Sequence, residues 1–231
     1  MHTSHLMDIM KELNTLAANP QVISPSKSNK FRKELTSLES GYQGLEIPDN
    51  YENVYEALCK KGKETVKTLK GSKDQKDNLS KLEAYVRYLH AAKGDFEGKT
   101  QEVNRYHRTF LFTSALFLAL SPQYFGFILP AVFFVPIFLG TRGVKNRSIN
   151  GLYMSLSIVP VALMTSFIWI RYGIYAMSNY QQAVGQVMTD TGRSLGVAKA
   201  LVTGPPILAL LLFVLAGLQA YRGFKNKNLF V

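Results

Sequence analysis

Four histidines (His2, His5, His90, His107), the single cysteine Cys59 and Asp190, the one acid in the second half of the chain, are the side chains whose types suit acid–base, nucleophilic or metal chemistry. Their spacing assembles none of these. A zinc helix needs two histidines four apart with a glutamate beside them, and a phosphate loop needs glycines leading into a lysine. Intramembrane chemistry needs paired acids or a His–acid pair. No such pattern occurs, so the sequence assigns no catalytic, cofactor-binding or metal-ligating residue, and the expectation is a protein that is not an enzyme and carries no cofactor. A lone cysteine excludes an internal disulfide.

Other residues stand out by type and spacing, and they speak of a membrane. Arg142-Gly-Val-Lys-Asn146 and Arg222-Gly-Phe-Lys-Asn226 are nearly one pentapeptide repeated 80 residues apart, each closing an apolar stretch. Together with the residues that follow, they place Arg142, Lys145, Arg147, Arg222, Lys225 and Lys227 where helices leave a bilayer on its cationic side, facing anionic headgroups. The repeat is read either as a duplicated hairpin or as convergent stop-transfer chemistry. Arg171 sits beside Trp169, Tyr172 and Tyr175, and reads as a snorkelling arginine in an aromatic belt or as a charge lining a permeation path. Gly192, Gly196, Ala200 and Gly204 recur every four residues as a small-residue stripe, suited to close helix packing or to lining a pore.

The composition divides the same way. Residues 1–108 hold 18 Lys/Arg and 15 Asp/Glu, whereas residues 109–231 hold 9 and 1. Cations confined to the breaks of an acid-poor apolar half fit a membrane region. Nucleic acid is not an expected partner, because the N-terminal cations are interleaved with acids and no recognition motif accompanies them.

These residues imply an all-α polytopic membrane protein with an N-terminal cytoplasmic helical domain, 1–108, and a transmembrane domain, 109–231. Helical periodicity places helices at about 4–19, 29–40, 50–70 and 72–108. In the last of these Leu82, Leu89, Phe96, Val103 and Phe110 recur every seven residues. That track suggests a stalk continuous with the first span, packed in its own domain or in an intermolecular coiled coil. Residues 109–140 carry no charge and as one helix would extend about 48 Å, against a hydrocarbon core of about 30 Å. They are read as a hairpin, which gives about four transmembrane helices at 107–121, 124–140, 152–176 and 204–222. Gly204-Pro-Pro206 opens the last span, and 178–203 forms an outer segment. The acceptor tripeptides at Asn78 and Asn146 fall on the cytoplasmic side, where glycosylation does not occur.

The positive-inside rule then sets both termini in the cytoplasm of a multi-pass plasma-membrane protein. The expected function is that of a non-catalytic membrane subunit, homo-oligomeric or part of a transport or envelope complex, with a cytoplasmic docking domain. Its partners are the anionic bilayer and copies of itself or other membrane subunits. An oligomeric channel is the alternative, and a membrane enzyme acting on lipid or quinone the third reading.

Overall fold

The computed structural model describes residues 3–231, and the described residues form helices without a strand. They divide into two compact units. One takes in the chain up to Gln101 together with Asn228–Val231, and the other is Glu102–Lys227.

The first unit contains α1 (Ser4–Ala17), α2 (Pro25–Tyr42), a 3-10 turn at Asp49–Tyr51, α3 (Glu52–Gly71) and α4 (Gln75–Phe96). Each helix buries one stripe. Leu6, Ile9, Met10 and Leu13 of α1 meet Phe31, Leu35 and Leu38 of α2, Leu58, Val66 and Leu69 of α3, and Leu82, Val86 and Leu89 of α4 in one core. Pro25 stands in the first turn of α2, where its missing N–H costs nothing. Asp74 caps α4, its carboxylate accepting from the backbone N–H of Lys76 at 2.9 Å. Buried tyrosines find backbone carbonyls across the unit. The Tyr42 hydroxyl donates to the Leu89 carbonyl at 2.7 Å and that of Tyr85 to the Leu58 carbonyl at 3.2 Å. Burial pushes both phenols above the ordinary tyrosine range. Asn78 is fully buried and donates to the carbonyls of Val22 and Ser72, so it is a core residue and offers no glycan acceptor.

The tail returns to this unit. Leu229 and Phe230 are buried, and Leu229 lies against Gly94, whose absent side chain makes room for it.

The expected continuous helix over 72–108 is interrupted. Between α4 and α5 (Thr100–Leu120) the chain turns at Gly98, whose φ of 74° belongs to the left-handed region that glycine adopts freely. Leu82, Leu89 and Phe96 are buried inside the first unit, which withdraws them from an intermolecular coiled coil.

The second unit follows with α6 (Pro122–Phe125), α7 (Ile128–Lys145), α8 (Ile149–Leu156), α9 (Ile158–Ser178), α10 (Tyr180–Thr191) and α11 (Leu195–Lys225). Three helical stretches are long and apolar enough to cross a membrane: Ile128–Lys145, Ile149–Ser178 and Leu195–Lys225. α5 is not among them, because its charge-free part, 109–120, extends only about 18 Å. Instead α5 lies within the unit and buries Tyr106, Phe110, Thr113, Phe117 and Leu120. Its last carbonyl, on Leu120, accepts the Trp169 indole N–H at 2.9 Å. Trp169 is thus buried in the bundle rather than displayed in an aromatic belt, while Tyr175 is exposed. Gly126, with a φ of 59°, turns the chain into α7.

Pro205 and Pro206 do not open the last helix, which begins at Leu195 and carries both prolines in its interior. Room for one ring comes from α9: a Cβ on Gly173 would stand 2.7 Å from the Pro206 side chain, so that ring sits against bare backbone. Residues 178–203 accordingly comprise α10 and the first turns of α11. α10 folds back so that Ala183 and Val184 pack on Ala198 and Val202.

Candidate functional site

The two pentapeptides end α7 and α11 in the same way. In each the last asparagine is the C-cap, its backbone N–H bonding to the arginine carbonyl at 3.0 Å: Asn146 to Arg142 and Asn226 to Arg222. The lysine lies in the last helical turn, where a cation offsets the negative end of the helix dipole. The glycine is the contact point. A Cβ on Gly143 would collide with the backbone of Gly151, and one on Gly151 with the backbone of Gly143 and Val144. Gly140, one turn earlier, meets Phe110 and the backbone of Ser155. A Cβ on Gly223 would come within 2.9 Å of Leu156 and 3.0 Å of Tyr106. Both termini therefore seat on the same two helices, α5 and α8.

Behind this rim lies a buried polar knot. The Tyr106 hydroxyl is 2.5 Å from the Ser155 hydroxyl, which itself donates to the Leu152 carbonyl at 2.7 Å. The Gln219 amide donates to the Ser155 carbonyl at 2.7 Å. The Arg222 guanidinium donates to the Thr109 hydroxyl at 2.5 Å and to the Arg105 carbonyl at 3.4 Å. Tyr106, Ser155 and Gln219 are fully buried and come from α5, α8 and α11. In an apolar environment such bonds fix which helix faces meet, since an unpaired amide there is costly. Sequence reasoning missed all three; only Gln219, a lone amide in an apolar run, gave a signal.

The rim leaves α7 through an unusual residue. Arg147 has a φ of 54° and stands one residue past the α7 C-cap. Its N–H bonds to the Val144 carbonyl at 3.0 Å and that of Ser148 to the Gly143 carbonyl at 2.8 Å. This is the Schellman arrangement, whose left-handed position glycine usually fills.

The other singled-out residues lie elsewhere. Arg171 is exposed on α9. Gly192 ends α10 in the left-handed conformation, so it is not on the helix that carries the rest of the stripe. Gly196 and Ala200 are exposed on α11 and Gly204 is partly so; a Cβ on Gly196 or Gly204 would meet nothing within 4 Å. Gly196, Ala200 and Gly204 thus form an uncovered strip. His2 lies outside the described residues. His5 is exposed, His90 faces the Glu34 carboxylate at 3.1 Å, and His107 is on α5. Among the described residues no three His, Cys, Asp or Glu side chains gather into a metal-binding group. Cys59 is half-buried beside Tyr55, and burial raises its thiol above the ordinary range.

No protein-family model, curated protein or solved structure matches this chain.

Proposed function

We propose that the protein is a non-catalytic, multi-pass subunit of the plasma membrane, with its N-terminal helical unit and residues 228–231 in the cytoplasm. It assembles with copies of itself or with other membrane subunits. The observation that carries this reading is the position of Leu229 and Phe230 inside the N-terminal unit. A segment that follows the last apolar helix and is buried in the domain preceding the first must share that domain's side, which requires an even number of crossings. Three helices qualify by length and composition, so α5 with the turn at α6 supplies the fourth. Its short apolar part is compatible with a locally thinned bilayer, because its flanking polar groups are held by the bundle.

The exposed surface agrees. Large exposed apolar side chains cover α7, α9 and α11, among them Phe134, Phe138, Phe167, Ile174, Leu211 and Phe213, whereas in the first unit only Val54 belongs to this class among the described residues. Such a belt is stable against hydrocarbon and not against water. The uncovered strip on α11 favours self-association, since bare backbone lets a second helix approach closely. The same strip supports the channel reading, which predicts ion flux in liposomes that changes on Gly196→Leu.

Thiol mapping tests the topology. In a Cys59→Ser background, single cysteines replace the exposed residues Lys60, Asn228 and Gln182. A membrane-impermeant maleimide should label the cysteine at 182 in intact cells and those at 60 and 228 only after permeabilisation. Labelling of 60 and 228 from opposite sides would exclude an even number of crossings.

A further inference from the structure

We propose that the cleft between α9 and α11 binds a neutral lipophilic molecule bearing one hydroxyl, which donates to the backbone carbonyl of Val202. The site lies wholly within the second unit. It adds a ligand to the membrane reading above without depending on the number of crossings.

The cleft has a volume of about 370 Å³, in the range of small-molecule pockets. It lies beside the point where the Pro206 ring faces Gly173. Among the described residues that line it none is charged. An ionised ligand is thereby disfavoured, because an unpaired charge in such surroundings is costly. Ile174, Met177 and Ile207 in the lining are more than half exposed, so the cleft opens sideways among apolar side chains and a ligand enters it from an apolar phase.

The polar group that the ligand must satisfy follows from the two prolines. In a helix the Val202 carbonyl takes its hydrogen bond from the N–H four residues on, or three residues on in a 3-10 turn. Those residues are Pro206 and Pro205, and neither has an N–H. A helical carbonyl points at the nitrogen four residues later, so the freed oxygen shares the wall on which the Pro206 ring meets α9. Val202 and Pro206 both line the cleft. Thr203, which brings a hydroxyl to the same wall, is committed already and donates to the Lys199 carbonyl at 2.9 Å. An acceptor left without a donor in an apolar cleft selects a ligand that brings the donor. An alcohol does so, whereas an ether of the same shape does not.

Packing also orients the ligand. Val202 clusters with Ala176 and Ala198, whereas Trp169 clusters with Ala209 and Leu212, so α9 and α11 run antiparallel along the cleft. A hydroxyl at Val202 therefore leaves the apolar tail pointing toward Ile170 and Leu210, next to Trp169, the one tryptophan of the chain.

The test uses the full chain in detergent and reads Trp169 fluorescence, which a bromine atom quenches at short range. The probes are octanol brominated at its far end and the methyl ether of the same compound. With the wild type the alcohol should quench saturably, be displaced by unbrominated octanol and bind about fivefold more tightly than the ether. Pro206→Ala gives the Val202 carbonyl a donor from its own helix, and should bring the two affinities level while ether binding persists. A purely structural role for Pro206 would alter both probes together. Thr203→Phe places a ring in the cleft and should abolish saturable quenching by either probe. Quenching that does not saturate in the wild type, or equal wild-type affinities for alcohol and ether, would overturn the proposal. So would an alcohol preference that survives Pro206→Ala, or saturable quenching that survives Thr203→Phe. None of these outcomes bears on the crossing count, which the thiol labelling reads separately.

Discussion

Replacing Gly143 by alanine probes the helix crossing on which the rim is built. In a helix, Gly→Ala ordinarily stabilises by up to about 1 kcal/mol, because glycine loses more backbone freedom on folding. At Gly143 the added methyl meets the backbone of Gly151, which belongs to α8 and cannot rotate aside as a side chain can. Overpacking of this kind costs up to about 3 kcal/mol. The net expectation is a loss of about 2 kcal/mol, or roughly 4–8 °C in thermal midpoint for a chain of this size. Gly217 is the control, since it is exposed on α11 and its added Cβ would meet nothing within 4 Å. Gly217→Ala should therefore raise the midpoint by roughly 2–4 °C. Gly223→Ala falls between them, because the atoms it meets are the flexible end of Leu156 and an edge of Tyr106. The assay is thermal unfolding followed by circular dichroism, with all variants in one detergent. A Gly143→Ala protein as stable as the wild type would refute the close crossing of α7 and α8.

Three further outcomes follow from buried groups. Gln219→Leu removes the bond to the Ser155 carbonyl but fills similar volume, so thermal unfolding should register a loss of no more than about 1 kcal/mol, smaller than for Gly143→Ala. Phe230→Ala removes a buried ring from the first unit and should cost about 3 kcal/mol there, seen as faster hydrogen exchange within that unit. Because the folded pKa values of Tyr42 and Tyr85 lie above the unfolded value near 10, the unfolded chain releases these protons first. Stability is thus retained below that pH and lost above it, and tyrosinate absorbance should rise together with helix loss. Tyr42→Phe should shift this alkaline transition upward.

The helical class and its apolar stretches were legible because burial follows a period of 3.6: Leu6, Ile9, Met10 and Leu13 lie on one face and are buried together. The break at Gly98 was not. Phe96, Val103 and Phe110 keep their seven-residue spacing across it, and a requirement for positive φ leaves no trace in periodicity. Pro205 and Pro206 read as a helix start because local preference favours that position. The Pro206 ring is seated by Gly173, more than thirty residues away. The pentapeptides were legible as cationic helix ends, but the use of their glycines as contact points depends on Gly151, Leu156 and Tyr106, which only packing brings near. Tyr106, Ser155 and Gln219 span more than a hundred residues and meet solely through the bundle.

The burial of Leu229 and Phe230 in the N-terminal unit has a consequence for the order of events during synthesis. The N-terminal unit lacks its last apolar pieces until every membrane helix has been translated, an interval of the order of ten seconds for the 135 residues between Gly94 and Leu229. During that interval the seat of the tail on α4 stays open. A chain truncated before Leu229 keeps it open permanently, presenting an apolar flaw to quality control on the domain that was made first.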